Sequence, residues 1–213
     1  MLQWPMRKTT PVFLCLAGAM LNIALNRLCA RMGFPLYMDT VLTISVTFTS
    51  GLFWGALCGA LTNLVAHSIM FWGWEGYLFA LCNVATAIIT WLFIRLFPNE
   101  LRLGAKTYKT APHIVSKSSR LNMVIERMIV LILLSFALCL VMSILGGLIT
   151  AFILALNPSH TGERGLSVLL SATMFGSSLP VILVEIVSRI PINIIDRLIT
   201  AFLGYGIAFI FKR

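Results

Sequence analysis

Long apolar segments alternate with short charged ones along most of the chain. Residues 11–30 are interrupted by charge only at Arg27, and the 35 residues from 40 to 74 contain no charged side chain at all. At 1.5 Å per helical residue, such a stretch gives about 52 Å of helix, enough for two short crossings of a roughly 30 Å hydrocarbon core. Gly51 is the natural turning point between the two crossings.

The whole pattern predicts six crossings within one polytopic membrane domain, residues 1–213. The spans are predicted at residues 11–30, 39–51, 53–71, 76–96, 128–156 and 191–211, with a basic loop at 97–127. The apolar segment 164–189 carries Pro180, which disfavours helix before it, so a broken, re-entrant or surface-lying segment is expected there. The predicted fold class is therefore an all-α integral membrane protein with six transmembrane helices and an extra broken segment before the last one.

Composition supports a membrane solvent. The chain is 59% hydrophobic and 11% charged, whereas an average soluble domain has roughly 25% charged residues. The net charge of +9 is concentrated at both termini and in the basic loop, as expected of segments retained in the cytoplasm. This distribution predicts cytoplasmic N- and C-termini and favours membrane lipid, with no nucleic-acid partner.

Cysteine and histidine usage indicates neither redox nor metal chemistry. The five cysteines form no CxxC pair, and no cysteine and histidine cluster has zinc spacing. No nucleophile elbow, HExxH motif or phosphate-binding glycine loop is present, so neither an enzyme nor ATP binding by this chain is expected. We therefore expect no metal and no cofactor.

The third span carries small and polar residues at strict four-residue steps: Gly51, Gly55, Gly59, Asn63 and His67. Glycines at this spacing let another helix approach closely. Asn63 is equally well explained as a hydrogen bond between helices or as a ligand contact. A lone histidine such as His67 is more often a packing residue than a ligand, although it continues the same ridge.

The short loop after this span brings Trp74, Glu75 and Tyr77 together. An interfacial aromatic belt is the simpler explanation for each ring. The functional alternative is a stacking lid with one carboxylate over an external pocket.

Other polar residues lie within apolar segments, where ionisable groups are costly and are candidates for function. Asp39 opens the second span, where it could also cap the helix. Asn83 lies on the polar face of the fourth span, and Asn193 and Asp196 are expected near the outer end of the last. For Arg197, pairing at the membrane interface is the preferred explanation.

The first span followed by FPLYMDTVLTISVTFTSGLFWGALCGALTNLVAHSI resembles the substrate-binding S components of energy-coupling factor (ECF) vitamin transporters, the riboflavin-type subgroup most of all. The matching features are Asp39, the Gly51 to Gly59 turn region and Asn63. The resemblance covers about residues 11–97 and extends more weakly into PINIIDRLITAFLGYGIAFIFKR.

This resemblance implies a six-helix protein of the bacterial or archaeal cell (inner) membrane. It implies that the protein captures a vitamin-like solute outside and releases it inward, together with a transmembrane coupling protein and two ATPases. In that family an alanine-xxx-alanine pattern on the first helix contacts the coupling protein. Here the nearest equivalents are Cys15 and Ala19 with Gly18 beside them, so these residues are expected to form that contact.

Two other classes of function are weighed against transport. A sensory or scaffold module would bind a ligand or lipid and signal through a partner protein. A lipid-modifying membrane enzyme would need acids or histidines clustered at one depth, whereas the acids here are spread over several segments. The importer is the preferred hypothesis, with Asp39, Glu75 and Asp196 favouring a neutral or cationic solute.

Overall fold

The computed structural model describes residues 9–70, 74–101, 103, 117–157 and 180–211, and every regular element in these ranges is a helix. In chain order the helices are α1 Thr9–Arg31, α2 Val41–Ser50, α3 Leu52–Met70, α4 Glu75–Leu78, α5 Ala80–Leu96, α6 Lys117–Leu156 and α7 Val181–Phe211.

Five helical stretches of the described chain are long and apolar enough to cross a membrane: Thr10–Arg31, Leu52–Ile69, Glu75–Leu96, Asn122–Leu156 and Val181–Phe211. Helix α2 is apolar but has only ten residues, so it is about 15 Å long, half of a typical hydrocarbon core. The predicted class, an all-α multi-pass membrane protein, is confirmed, with α2 as a short sixth apolar helix.

The last two long helices begin earlier than the sequence pattern predicts. Helix α7 starts at Val181 instead of residue 191 and continues through Pro191, and α6 starts at Lys117, inside the predicted basic loop. Residues 181–189 of the predicted broken segment are therefore helical, while 164–179 lie outside the described residues. Pro180 precedes the first turn of α7, and its carbonyl accepts N–H groups from that turn. A proline at a helix start is well tolerated because the first turn needs no donor from it.

Helix α2 lies at the centre of the bundle and packs against α1, α3, α5 and α7. All eight of its residues from Val41 to Phe48 are buried. Gly51 follows with φ of +92°, a left-handed conformation that glycine adopts without steric cost, and α3 returns antiparallel to α2. This confirms Gly51 as the turning point. Below, the side of the bundle at this turn is called the Gly51 end, and the opposite side the far end.

The glycine stripe of α3 allows close helix contacts, as predicted. A Cβ atom added to Gly55 would lie 1.9 Å from Thr47 Oγ1 on α2, and one added to Gly59 would lie 2.8 Å from the Asn83 carbonyl oxygen on α5. Since real Cβ atoms do not approach other atoms so closely, only glycine permits these two crossings at their observed separation.

The small residues of α1 face into the bundle, which corrects the prediction that they contact a coupling protein. Cys15 is 1% exposed and Ala19 is 4% exposed, and a Cβ atom on Gly18 would lie 3.0 Å from Cys58 Sγ on α3. The close approach expected of small residues occurs, but within this chain. Any coupling protein would have to contact a different surface.

We predict that Gly55→Ala destabilises the protein by about 1–3 kcal/mol, because the added methyl group collides with Thr47. Gly206→Ala is the matched control, since nothing lies within 4 Å of its Cβ position, and removing a glycine from a helix interior stabilises by up to about 1 kcal/mol. Thermal unfolding in mild detergent measures both. Equal stability of the two variants would contradict the close α2–α3 contact.

Candidate functional site

Two carboxylates and one guanidinium meet where α2 begins. The Arg197 Nη2 atom on α7 lies 2.9 Å from Asp196 Oδ2 and 3.8 Å from Asp39 Oδ1. Its other terminal nitrogen, Nη1, donates to the Thr40 hydroxyl at the start of α2. Asp39, Asp196 and Arg197 are called the charged cluster below. The sequence indicates interfacial pairing for Arg197, but this side chain is buried.

Asp196 holds the segment between α1 and α2 in place. Its Oδ1 atom accepts the backbone N–H groups of Tyr37 and Met38, each at 2.9 Å, and Asn26 on α1 donates to the Tyr37 carbonyl at 2.7 Å. Met38 has φ of +51°, which is uncommon for a residue with a side chain and requires support from its surroundings. Irregular backbone inside an apolar bundle is tolerated when the protein supplies such hydrogen bonds.

Asn22 ties three helices together one turn below the charged cluster. Its Oδ1 atom accepts the Leu42 N–H at 2.9 Å, and its Nδ2 atom donates to the hydroxyls of Thr43 and Thr62 at 3.1 and 3.2 Å. The first N–H groups of a helix have no partner within it, so Asn22 acts as a cap for α2 from a neighbouring helix. The sequence pattern does not single out Asn22, although Asn22 and Asn26 share one face of the apolar α1.

The charged cluster lies about halfway along the bundle. Thr62, which is bonded to Asn22 beside the first turn of α2, has ten α3 residues before it and eight after it, about 15 and 12 Å respectively. The sequence pattern predicts Asp196 near the outer end of its span and Asp39 at the outer start of another. The correction follows from α2 being short: it begins at half depth, so the preceding segment enters the bundle to reach it.

Among the predicted asparagines, only Asn83 reaches the cluster. Its Nδ2 atom donates to the Asp39 carbonyl oxygen at 3.4 Å. Asn193 instead donates to Ser143 on α6 at 2.9 Å, and Asn63 donates to the Phe79 carbonyl at 3.3 Å. Both of these join neighbouring segments, which favours the inter-helix interpretation of Asn63 over ligand contact.

A second group of predicted site residues lies at the far end. The His67 and Tyr77 rings meet edge to face with centroids 6.0 Å apart, and a Cβ atom on Gly76 would lie 2.1 Å from His67 Nδ1. His67 therefore packs directly against the backbone of α4. Trp74 is 53% exposed, while Glu75 is partly exposed.

The charged cluster and the far-end group of predicted site residues lie at different depths of the bundle. Asn83 lies six positions after Tyr77 along α4 and α5, equivalent to about 9 Å of helix. Phe79 lies between them, and its ring centroid is 5.8 Å from the guanidinium carbon of Arg189. Arg189 is buried and donates to Thr150 on α6. The structure thus places a partly exposed aromatic layer, formed by His67, Trp74 and Tyr77, at the far end. The charged cluster lies at half depth.

Within the described ranges, no group of three or more histidine, cysteine or acidic side chains is placed to hold a metal ion. The chain matches no protein-family model, no curated protein and no solved structure. The charged cluster is therefore the candidate site because of its own geometry: one buried and one partly buried carboxylate share one buried guanidinium.

We predict a definite order of stability among cluster variants. Arg197→Met leaves two neighbouring carboxylates without their cation and should cost about 3–5 kcal/mol. Asp196→Asn should cost less, because its oxygen still accepts the two N–H groups and Asp39 still faces Arg197. The double variant should be more stable than Arg197→Met alone, since it removes both partners of the tight ion pair.

Thermal unfolding of the three variants in one detergent tests this order. An Arg197→Met protein as stable as the wild type would contradict the ion pair. A double variant whose loss equals the sum of the two single losses would contradict the coupling between Asp196 and Arg197.

Proposed function

We propose that the protein is the substrate-binding S component of an ECF-type importer. It captures a vitamin-like micronutrient on the outer face of a bacterial or archaeal cell membrane and delivers it inward. A separate transmembrane coupling protein and two ATPase subunits supply the energy. Both termini lie in the cytoplasm, so the Gly51 end faces inward and the far end faces outward.

The observation that carries this proposal is the charged cluster at half depth. Ionisable side chains inside a membrane bundle are costly, and they usually mark the pathway of an ion or a substrate. A helix that begins near the midplane after a non-helical segment is a recurring device in transporter binding sites. Helix α2 begins in this way, with Asp39 directly before its Thr40 N-cap.

A purely structural role accounts for Asp196 but not for Asp39. Asp196 is completely buried and accepts two backbone hydrogen bonds in addition to facing Arg197. The Asp39 side chain is 18% exposed, and Arg197 approaches it only to 3.8 Å. The Asp196 carboxylate is occupied by contacts within the chain, and the Asp39 carboxylate is held only loosely. Asp39 is therefore the group available to a solute.

The aromatic layer at the far end supports entry from that side. Tyr77 and Trp74 are exposed there, and flat solutes stack favourably on such rings. Below them, Asn83 offers an amide beside Asp39. A solute entering from outside would therefore meet rings first and the charged cluster second.

The experiment that tests the proposal is native mass spectrometry of the protein purified in mild detergent from its own organism. We expect a small-molecule adduct together with a coupling protein and ATPase subunits. Asp39→Asn should raise the Kd at least about tenfold and so reduce the fraction of protein carrying the adduct, because loss of a charged hydrogen bond costs roughly 1.5–3 kcal/mol.

Glu126→Gln is the control, since Glu126 is an exposed carboxylate on α6 near the opposite end of the bundle from the aromatic layer. It should retain the full adduct. A wild-type protein that carries only lipid and no ATPase under conditions that preserve complexes would contradict the importer and favour the sensory or scaffold hypothesis.

A further inference from the structure

The charge of the solute can be inferred from how the cluster shares its partners. This step rests on the proposed function, because it concerns the ligand of the same site. The cluster contains two carboxylates and one guanidinium, so its formal charge is −1 when all three groups are ionised. One of the two carboxylates therefore carries an uncompensated negative charge.

Asp196 does not carry it. Its Oδ2 atom is 2.9 Å from Arg197, and its Oδ1 atom accepts the Tyr37 and Met38 N–H groups. A close guanidinium and two backbone N–H donors together compensate the charge of a carboxylate. Asp196 is therefore compensated by the protein itself.

Asp39 is compensated much less. Its Oδ1 atom is inaccessible to solvent, yet it makes no hydrogen bond to any described residue, and its distance of 3.8 Å from Arg197 Nη2 is longer than a hydrogen bond. The Asn83 amide donates to the Asp39 carbonyl oxygen at 3.4 Å and also lies within reach of the Asp39 carboxylate. A carboxylate oxygen without a donor is unfavourable, so a donor that arrives from outside the chain would stabilise this site.

No other cation of α7 takes this role. Arg189 lies eight residues before Arg197 on α7, about 12 Å nearer the far end, and donates to Thr150. Glu185 lies about one turn beyond Arg189 on α7. Because it is an acid, it does not compensate Asp39. Arg197 is thus the cation that the charged cluster contains, and Asp196 holds it more tightly than Asp39 does.

From these observations we infer that the solute presents a cationic donor group, an ammonium or amidinium, to Asp39. Asp196 is a positioning residue: it holds Arg197 and the segment before α2 so that Arg197 does not close on Asp39. The bound cation brings the formal charge of the site to zero.

Three probes of matched size and different charge test this inference: benzylammonium, benzyl alcohol and benzoate. Thermal unfolding of the detergent-purified protein is followed at equal ionic strength, with methylammonium as a second cation without a ring. At a concentration about ten times Kd, a bound ligand should raise the melting temperature by roughly 3–6 °C. We expect this rise with benzylammonium in the wild type and in Glu126→Gln, and its loss in Asp39→Asn.

The comparison between variants removes the effect of probe partitioning into detergent, which is common to all of them. No rise with either ammonium probe, or an equal rise in wild type and Asp39→Asn, would overturn the inference. Should Asp39→Asn not purify as a folded protein, the order of the three probes on the wild type decides. Cation above alcohol above benzoate supports the inference, and any other order overturns it.

Failure of this inference is distinguishable from failure of the proposed function. A neutral or anionic adduct that is lost in Asp39→Asn, without any effect of ammonium probes, retains the importer and rejects the cationic solute. A selective ammonium effect in a protein that never carries a coupling protein or ATPase retains the cation site and rejects the importer.

Discussion

The charge of Arg197 has to be neutralised inside an apolar bundle, and much of the architecture follows from how this is done. Asp196 is its neighbour on α7 and takes the closest contact, at 2.9 Å. The second oxygen of Asp196 then binds the backbone before α2, while Arg197 binds Thr40 at the start of α2. One ion pair thereby sets the register of α7 against α2 and holds the non-helical segment between α1 and α2.

This arrangement explains why a ten-residue helix can lie at the centre of the protein. Alone, α2 is too short to cross a bilayer core, and its first N–H groups would be unsatisfied at half depth. Asn22 supplies an acceptor from α1, and Asp196 supplies one to the segment just before the helix. Asp196 and Asn22 accept the backbone hydrogen bonds that hold this region, and the Asp39 carboxylate is held only loosely. This difference between the two carboxylates is the basis of both proposals for the site.

The sequence predicted those features that depend on local pattern. Apolar periodicity gave the membrane class and most helices, and the spacing of Gly55 and Gly59 predicted close packing that is present. Charged and amide groups inside a membrane are costly, and on that ground the sequence singles out Asp39, Asn83 and Asp196. The fold brings these three residues near Arg197. Such inferences need only the residue types and a helical repeat.

Features that depend on which helices are neighbours were not predictable in the same way. Small residues such as Cys15 and Ala19 permit close approach of another helix, but the pattern does not specify whether that helix belongs to the same chain. The depth of Asp39 required knowing that α2 begins at Val41 and contacts α7. The sequence alone does not reveal the role of Asn22, because Asn22 caps the start of α2. That helix begins 19 residues further along the chain.

The central claim is that Asp196 anchors the segment before α2. Hydrogen–deuterium exchange of the protein in lipid nanodiscs tests it most directly, through a peptide that includes Tyr37 and Met38. The account predicts slow exchange of these two amides in the wild type and fast exchange in Asp196→Ala, with peptides from the middle of α6 unchanged as the internal reference. Fast exchange in the wild type, or equal protection in both proteins, would contradict the account.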